Sequence, residues 1–250
     1  MPEYTVSQAT AAMVKAGTVS QIVASQLSQA DRSVKVADVK RGFEDPVMSC
    51  LVIDASPSMD PYKSEVIKGQ QVAVSTLRGS AKCRKNALYM GQWLFSAGPT
   101  LLNPFTALNQ NSSDAVILLD ENSYRPQDGD GTALYTTVFQ VLQDMAANIA
   151  YSISQHIRTT FTIGVITDGE DNRSDVRPED VKLIVQELRS KGYLTKSVVI
   201  GIENRDLPPA KMTAIQETLG FDEAISVGQS ASDIRRAFAL WSQSAIRGQV

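Results

Sequence analysis

Runs of apolar residues alternate along this chain with segments in which apolar residues recur every three or four positions. The first long run, residues 47–53, is almost entirely apolar, which predicts a strand that is buried on both faces. Four further segments are predicted to be strands of the same sheet: residues 87–95, 161–167, 194–201 and 224–227.

The most regular amphipathic pattern covers residues 134–157, where apolar side chains keep helical spacing for about six turns. Four other helices are predicted at residues 64–77, 179–191, 208–219 and 232–245. Strands and helices that alternate in this way predict a doubly wound α/β fold, with a mostly parallel central sheet and helices on both faces.

One predicted strand departs from the parallel arrangement. Residues 101–108 follow residues 87–95 after the tight turn Ala97-Gly98-Pro99, and such a short connection cannot cross over to a parallel neighbour. We therefore expect one antiparallel edge strand. Residues 115–119 are predicted to form a further short edge piece.

The first 45 residues differ from the rest of the chain in composition. They are rich in Ala, Ser, Gln and Val, and they repeat Thr-Val-Ser-Gln at 5–8 and 18–21. A loose helical stripe of apolar residues predicts either a helix that packs on the domain surface or a mobile arm. We therefore divide the chain into an N-terminal extension, residues 1–45, and a main domain, residues 46–250.

Composition limits the cellular setting and the class of partner. The formal net charge is −3, and the Lys and Arg residues are scattered, which argues against nucleic-acid binding. Cys50 and Cys83 lie far apart without a CxxC spacing, so a disulfide framework is not expected. The first residues lack the features of a signal peptide, and no segment approaches the roughly 20 apolar residues of a membrane span. The cytoplasm is the expected location.

The candidate chemistry begins where the first long apolar run ends. Asp54, Ser56 and Ser58 follow that run at alternate positions, and alternate side chains of an extended segment point to the same side. A carboxylate and two hydroxyls aimed at one point suit a small, hard divalent cation such as Mg²⁺.

Two other positions place oxygen atoms where predicted elements meet. Thr132 stands just before the longest predicted helix, and Asp168 follows the buried run 161–167. Each has an ordinary explanation when it is considered alone. Threonine often caps the first turn of a helix, and Asp-Gly is a common turn after a strand.

Taken in order, Asp54-x-Ser56-x-Ser58, Thr132 in Gly-Thr-Ala-Leu and Asp168 in Thr-Asp-Gly form a recognisable pattern. The chain resembles a von Willebrand factor type A domain with a metal-ion-dependent adhesion site. The resemblance covers roughly residues 46–246, and all five positions of the motif are filled. One departure is Asp128-Gly129-Asp130, where the family commonly has Gly-Gly before the threonine.

The resemblance implies a role for each of the five residues. Ser56, Ser58 and, depending on state, Thr132 would bind the metal through their hydroxyls, whereas Asp54 and Asp168 would hold it directly or through water. The implied ion is Mg²⁺, with Mn²⁺ or Ca²⁺ as alternatives, and an Asp or Glu of a partner protein would complete its coordination.

Within the family, Asp-Ala-Ser-Pro-Ser-Met and a closing helix with Phe238, Trp241 and Ala245 resemble bacterial cytoplasmic proteins of tellurite-resistance and stress operons. That resemblance implies a stress-response or regulatory complex. A kinase, phosphatase or ATPase of the same operon is the implied partner.

Two other functions compete with a metal-dependent interaction module. A phosphatase of the haloacid-dehalogenase type needs a second carboxylate two residues after the nucleophilic Asp, and Ser56 occupies that position. Neither the Gly-x-Ser-x-Gly hydrolase motif nor a Gly-x-x-x-x-Gly-Lys-Ser/Thr phosphate loop is present, so we expect no enzymatic activity. The second alternative is an adaptor with an empty site that binds through its N-terminal arm.

Overall fold

A computed structural model describes residues 1–40, 42, 44–108, 116–128, 130–204 and 207–247. Its strands are β1 (Glu3–Thr5), β2 (Ser33–Lys35), β3 (Val47–Asp54), β4 (Leu88–Phe95), β5 (Pro99–Ala107), β6 (Thr160–Thr167), β7 (Leu194–Ile202) and β8 (Glu223–Val227). Its helices are α1 (Val6–Lys15), α2 (Gln21–Leu27), α3 (Lys63–Arg78), α4 (Ala81–Arg84), α5 (Leu134–Ser154), α6 (Pro178–Ser190), α7 (Pro209–Leu219) and α8 (Ala231–Arg247).

The main sheet has six strands in the order β5-β4-β3-β6-β7-β8. All neighbours in it are parallel except β4 and β5, which pair antiparallel across the tight turn. Helices α3 and α8 pack on one face of the sheet, and α1, α2, α5, α6 and α7 pack on the other. The predicted doubly wound α/β fold with one antiparallel edge strand is confirmed.

Helix α5 ends three residues earlier than its apolar pattern predicted. His156 adopts a left-handed backbone conformation, with a φ of 56°, and the amide of Ile157 turns back to donate to the carbonyl oxygen of Ser152 at 2.9 Å. Ile157 still packs against the core, so its apolar side chain continued the helical pattern beyond the helix itself.

Two glycines allow α8 to lie very close to its neighbours. A Cβ atom on Gly164 of β6 would stand 1.9 Å from Trp241 Cδ1, and one on Gly69 of α3 would stand 2.3 Å from Phe238 Cδ2. Both aromatic side chains are fully buried. Because neither contact leaves room for a methyl group, these glycines determine how tightly α8 covers the sheet.

The prediction of a short edge strand at residues 115–119 is wrong for residues 116–119, the part that the structure describes. None of these four residues belongs to a strand. Side-chain amides replace the strand hydrogen bonds. The carbonyl oxygen of Ile117 accepts from Gln70 at 3.1 Å and Gln92 at 3.0 Å, and its amide donates to Asn103 at 3.2 Å. Ala115 lies outside the described residues.

The N-terminal extension forms helices α1 and α2 and the two-stranded sheet of β1 and β2. Its buried apolar side chains, including Met13 and Leu27, belong to the same core as those of α5. The sequence pattern left open whether this extension is a helix or a mobile arm, and in the structure it packs against α5. The boundary at residue 45 stays a prediction.

Arg32 connects the extension to α5. Its guanidinium donates to Asp144 Oδ1 at 2.5 Å, to Gln143 Oε1 at 2.9 Å and to the carbonyl oxygen of Gln140 at 2.7 Å. It also lies 5.7 Å from the ring centroid of Trp93. Burial raises the pKa of Asp144 from 3.8 to about 6, although Arg32 lowers it.

We expect Arg32→Ala to lower the free energy of unfolding by about 3 kcal/mol at pH 8, because it leaves a buried carboxylate without its partner. The pKa of Asp144 is about 6 in the folded state and 3.8 in the unfolded state. The unfolded state therefore ionises first, and the free energy of unfolding falls as pH rises through this range. The penalty should therefore be smaller at pH 5. Urea unfolding at both pH values measures it.

The double variant Arg32→Ala/Asp144→Asn serves as the control, because it has no carboxylate to ionise at this position. The free energy of unfolding of Arg32→Ala should therefore fall further below that of the double variant at pH 8 than at pH 5. An equal loss for Arg32→Ala at pH 5 and pH 8 would show that Asp144 is not the group that Arg32 stabilises.

Candidate metal centre

The five predicted site residues lie in three loops at one edge of the main sheet. Asp54 is the last residue of the central strand β3, and Asp168 directly follows β6, its neighbour. Thr132 precedes α5. Parallel strands bring their carboxyl ends to the same edge, which is the usual ligand-binding edge of such sheets.

A chain of hydrogen bonds connects four of the five residues. The amide of Ser56 donates to Asp54 Oδ1 at 2.8 Å. The hydroxyls of Ser56 and Ser58 are 3.1 Å apart, and the hydroxyl of Ser58 donates to Asp168 Oδ1 at 2.7 Å. The expected convergence is therefore present, although Ser58 lies in a 3₁₀ helix, Pro57–Tyr62, and not in an extended segment. Its contact with Asp168 also joins two loops that are 110 residues apart in the sequence.

Asp54 is completely buried at the base of this group. Burial raises its pKa from 3.8 to about 7, the negative charge of Asp168 adds to the rise, and donors from Ser56 and Thr167 lower it. Its backbone carbonyl oxygen accepts from the hydroxyl of Tyr124 at 2.6 Å. Within the described ranges, Asp54 forms no ion pair with a basic side chain.

Thr132 does not cap α5, contrary to the ordinary explanation of its position. Ala133 flanks the first helical residue and offers no side-chain cap, and no described residue forms a hydrogen bond with the Thr132 hydroxyl. Thr132 is buried, and its Oγ1 lies 3.9 Å from where a Cβ on Gly169 would stand. Its hydroxyl therefore lies beside the turn that follows Asp168.

Supporting residues that the sequence pattern did not indicate hold the two carboxylates. The hydroxyl of Thr167 donates to Asp54 Oδ2 and accepts from the amide of Gly169 at 3.1 Å. The side-chain amide of Asn204 donates to the carbonyl oxygen of Asp168 at 2.6 Å. Thr167 ends β6, and Asn204 follows the end of β7 by two residues. A search for polar residues at the carboxyl ends of strands, which found Asp54 and Asp168, could therefore have found these two residues as well.

The oxygen atoms present are those that a hard cation prefers. No group of three or more His, Cys, Asp or Glu side chains suited to a metal lies in the part of the chain that the structure describes. A metal bound here therefore depends on hydroxyls together with the two carboxylates Asp54 and Asp168. Oxygen ligands of this kind suit Mg²⁺, Mn²⁺ or Ca²⁺, and a cation would balance the charge of the buried Asp54. The hydroxyls and carboxylates at this edge of the sheet therefore suit a hard divalent cation.

Asp130, two residues before Thr132, contacts the loop between β6 and α6. Asp130 pairs with Arg173 at 2.5 Å, and the next residue, Gly131, has a φ of +83°. Gly129 lies outside the described residues. The ion pair with Arg173 therefore offsets the negative charge of Asp130 near the site.

No protein-family model matches the sequence, and no curated protein matches it either. Solved structures do. A von Willebrand factor type A protein from Catenulispora acidiphila is 16% identical, with a TM-score of 0.56 over 81% of this chain and 43% of that one. The pilus adhesin SpaC from Lactobacillus rhamnosus GG is 12% identical, with a TM-score of 0.60 over 88% and 32%.

A third similar structure is proximal thread matrix protein 1 from the mussel byssus, with zinc in its metal-ion-dependent adhesion site motif. It is 16% identical, with a TM-score of 0.54 over 81% of this chain and 48% of that one. The chain thus spans less than half the length of each of these three proteins.

Among the described helices, none is long and apolar enough to cross a membrane. The sheet order, the helices on both faces and these similarities lead to one conclusion: the chain has the von Willebrand factor type A fold.

Proposed function

We propose that this protein is a metal-dependent protein interaction module. In this proposal Asp54, Ser56, Ser58, Thr132 and Asp168 hold Mg²⁺, with Mn²⁺ or Ca²⁺ as alternatives. The observation that carries the proposal is the hydrogen-bonded convergence of Asp54, Ser56, Ser58 and Asp168 at one point of the sheet edge.

The three hydroxyls are neutral oxygen ligands, so the negative charge comes from the two aspartates. Asp54 lies at the base of the site and is completely buried, whereas Ser58 is exposed at its mouth. When bound, a divalent cation supplies a positive centre that a carboxylate from outside can approach. A partner is therefore expected to reach the site from the side of Ser58 and to supply an Asp or Glu.

The arrangement favours binding over catalysis. Ser56, at the position where a haloacid-dehalogenase phosphatase needs its general acid, has a hydroxyl in hydrogen-bond contact with Ser58. The similar mussel structure contains zinc in the corresponding type of site, which supports metal binding as the activity. We propose that the module is not an enzyme. A test for the phosphatase alternative is hydrolysis of an aryl phosphate that disappears in Asp54→Asn.

The cytoplasm remains our proposed location, and a stress-response or regulatory complex remains our proposed setting. Both cysteines are free and buried, which suits a reducing compartment. The similar pilus adhesin belongs to a surface structure, so fractionation of the native cell with a tagged chain is the direct test.

We expect wild-type protein to bind Mg²⁺ saturably in isothermal titration. Loss of a residue that only supports a metal ligand lowers metal affinity by about 10–100-fold. The variants Ser56→Ala/Ser58→Ala and Asp54→Ala, which remove proposed ligands, should lose at least that much. The two-serine variant is the sharper of the two, because it keeps the buried carboxylate. Thermal unfolding should show the same dependence, since a ligand at about 100 times its Kd stabilises by about 2.7 kcal/mol.

Ser154→Ala is the matched control for this experiment. Ser154 is an exposed serine at the last residue of α5, at the end of that helix away from Thr132, and its replacement should leave the binding heat unchanged. Identical heats for wild type, Asp54→Ala and the two-serine variant would contradict the metal site.

A second prediction concerns the partner. We expect a protein captured from the native cell to bind in Mg²⁺ and to be released by EDTA, because its carboxylate binds the metal. Replacing each surface Asp and Glu of that partner by Asn and Gln in turn should identify one position that abolishes binding. The implied candidates are a kinase, a phosphatase or an ATPase.

The same experiment separates the adaptor alternative. Capture that persists in EDTA and in the Ser56→Ala/Ser58→Ala variant would point instead to contacts made through the N-terminal extension. Substitutions on the exposed faces of α1 and α2 would then reduce capture, while those at the site would not.

A further inference from the structure

Helix α5 begins without a cap of its own. The first amides of a helix have no partner within the helix and need acceptors from elsewhere, and Ala133, which flanks the start of α5, has no polar side chain to offer. Thr132, the nearest hydroxyl, accepts no hydrogen bond from these amides. The acceptors must therefore come from another part of the chain.

Polar side chains of the β6–α6 loop, residues 168–177, accept from two amides of the first turn and from the amide of Thr132, which lies just before the helix. Asn172 Oδ1 accepts from the amide of Thr132 at 2.8 Å, and Ser174 Oγ accepts from the amide of Thr136 at 2.9 Å. Asp171 Oδ1 accepts from the amide of Tyr135 at 3.3 Å. The first turn of α5 is thus capped by the loop that begins at Asp168.

The backbone of Thr132 is held on both sides by this loop. Its amide donates to the Asn172 side chain, and its carbonyl oxygen accepts from the amides of Asn172 at 2.9 Å and Arg173 at 3.2 Å. The packing leaves no spare room, because a Cβ on Gly131 would stand 2.4 Å from Arg173 Cγ and 2.9 Å from Asn172 Oδ1. Thr132 can therefore move relative to Asp168 only if these bonds break.

We propose that Asn172 is a positioning residue that fixes the Thr132 hydroxyl relative to Asp168. Capping from the loop leaves the Thr132 side chain free of the role that threonine usually has at this position. It also joins two of the five proposed metal ligands into one unit. The metal-binding part of this inference rests on the proposed function, whereas the positioning of Thr132 does not.

The test compares two variants at one exposed position. Asn172→Ala removes the acceptor for the Thr132 amide, and Asn172→Asp keeps it. In isothermal titration with Mg²⁺, we expect Asn172→Ala to bind about tenfold more weakly than wild type and Asn172→Asp to recover most of the affinity, because supporting residues of metal ligands typically cost about 10–100-fold.

A second measurement is independent of metal. Amide hydrogen exchange in EDTA should be faster at Thr132 in Asn172→Ala and close to wild type in Asn172→Asp, while urea unfolding should show that global stability is nearly unchanged. Asn122→Ala is the matched control. Asn122 is an exposed asparagine on the other side of the site whose side chain contacts Arg125, so neither measurement should change.

The outcomes separate the two proposals. If wild-type protein binds no Mg²⁺, the proposed function fails, and the exchange rate at Thr132 alone decides whether Asn172 positions that residue. If wild type binds Mg²⁺ but Asn172→Ala binds equally well with unchanged exchange at Thr132, the positioning role is overturned. A loss of Mg²⁺ affinity that Asn172→Asp does not recover would also overturn it, since the acceptor would then not be the cause.

Discussion

A buried carboxylate at the end of the central strand is the constraint on which the site depends. Asp54 ends β3, between β4 and β6, and its side chain is completely buried. Ionising such a group without compensation is costly. The chain surrounds it with neutral donors, namely the amide of Ser56 and the hydroxyl of Thr167. Those donors offset part of the cost, and a cation would offset more.

The sheet, rather than any single loop, brings the site together. Its residues come from loops that are far apart in the sequence, and each loop starts or ends at an element packed on the sheet. Because β3 and β6 are parallel neighbours, Asp54 and Asp168 necessarily leave the sheet at the same edge. A site built this way depends on strand order more than on local flexibility.

The main sheet and its helices could be predicted because each buried strand is a short apolar run and each helix has an apolar stripe. The convergence of Asp54, Ser56 and Ser58 was expected from the alternation of side chains in an extended segment. The side chains do meet, but Ser58 lies in a 3₁₀ helix, Pro57–Tyr62, and not in an extended segment. Residues 116–119 could not be predicted, since glutamine and asparagine side chains on distant elements satisfy their backbone. The capping of α5 by Asp171 and Ser174, and the contact of Asn172 with the amide of Thr132, were equally hidden, because they join two parts of the chain that only the folded sheet brings together.

The packing of the N-terminal extension against α5 has a consequence for shortening the chain. A fragment that starts at residue 46 would contain all six strands of the main sheet and all five proposed ligands. It would also lack Arg32, so Asp144 would lose its ion pair, and the surface of α5 now covered by Met13 and Leu27 would face water. Exposed apolar surface of this kind promotes aggregation. The smallest unit that keeps the core of α5 covered is therefore larger than the smallest unit that contains the five proposed ligands.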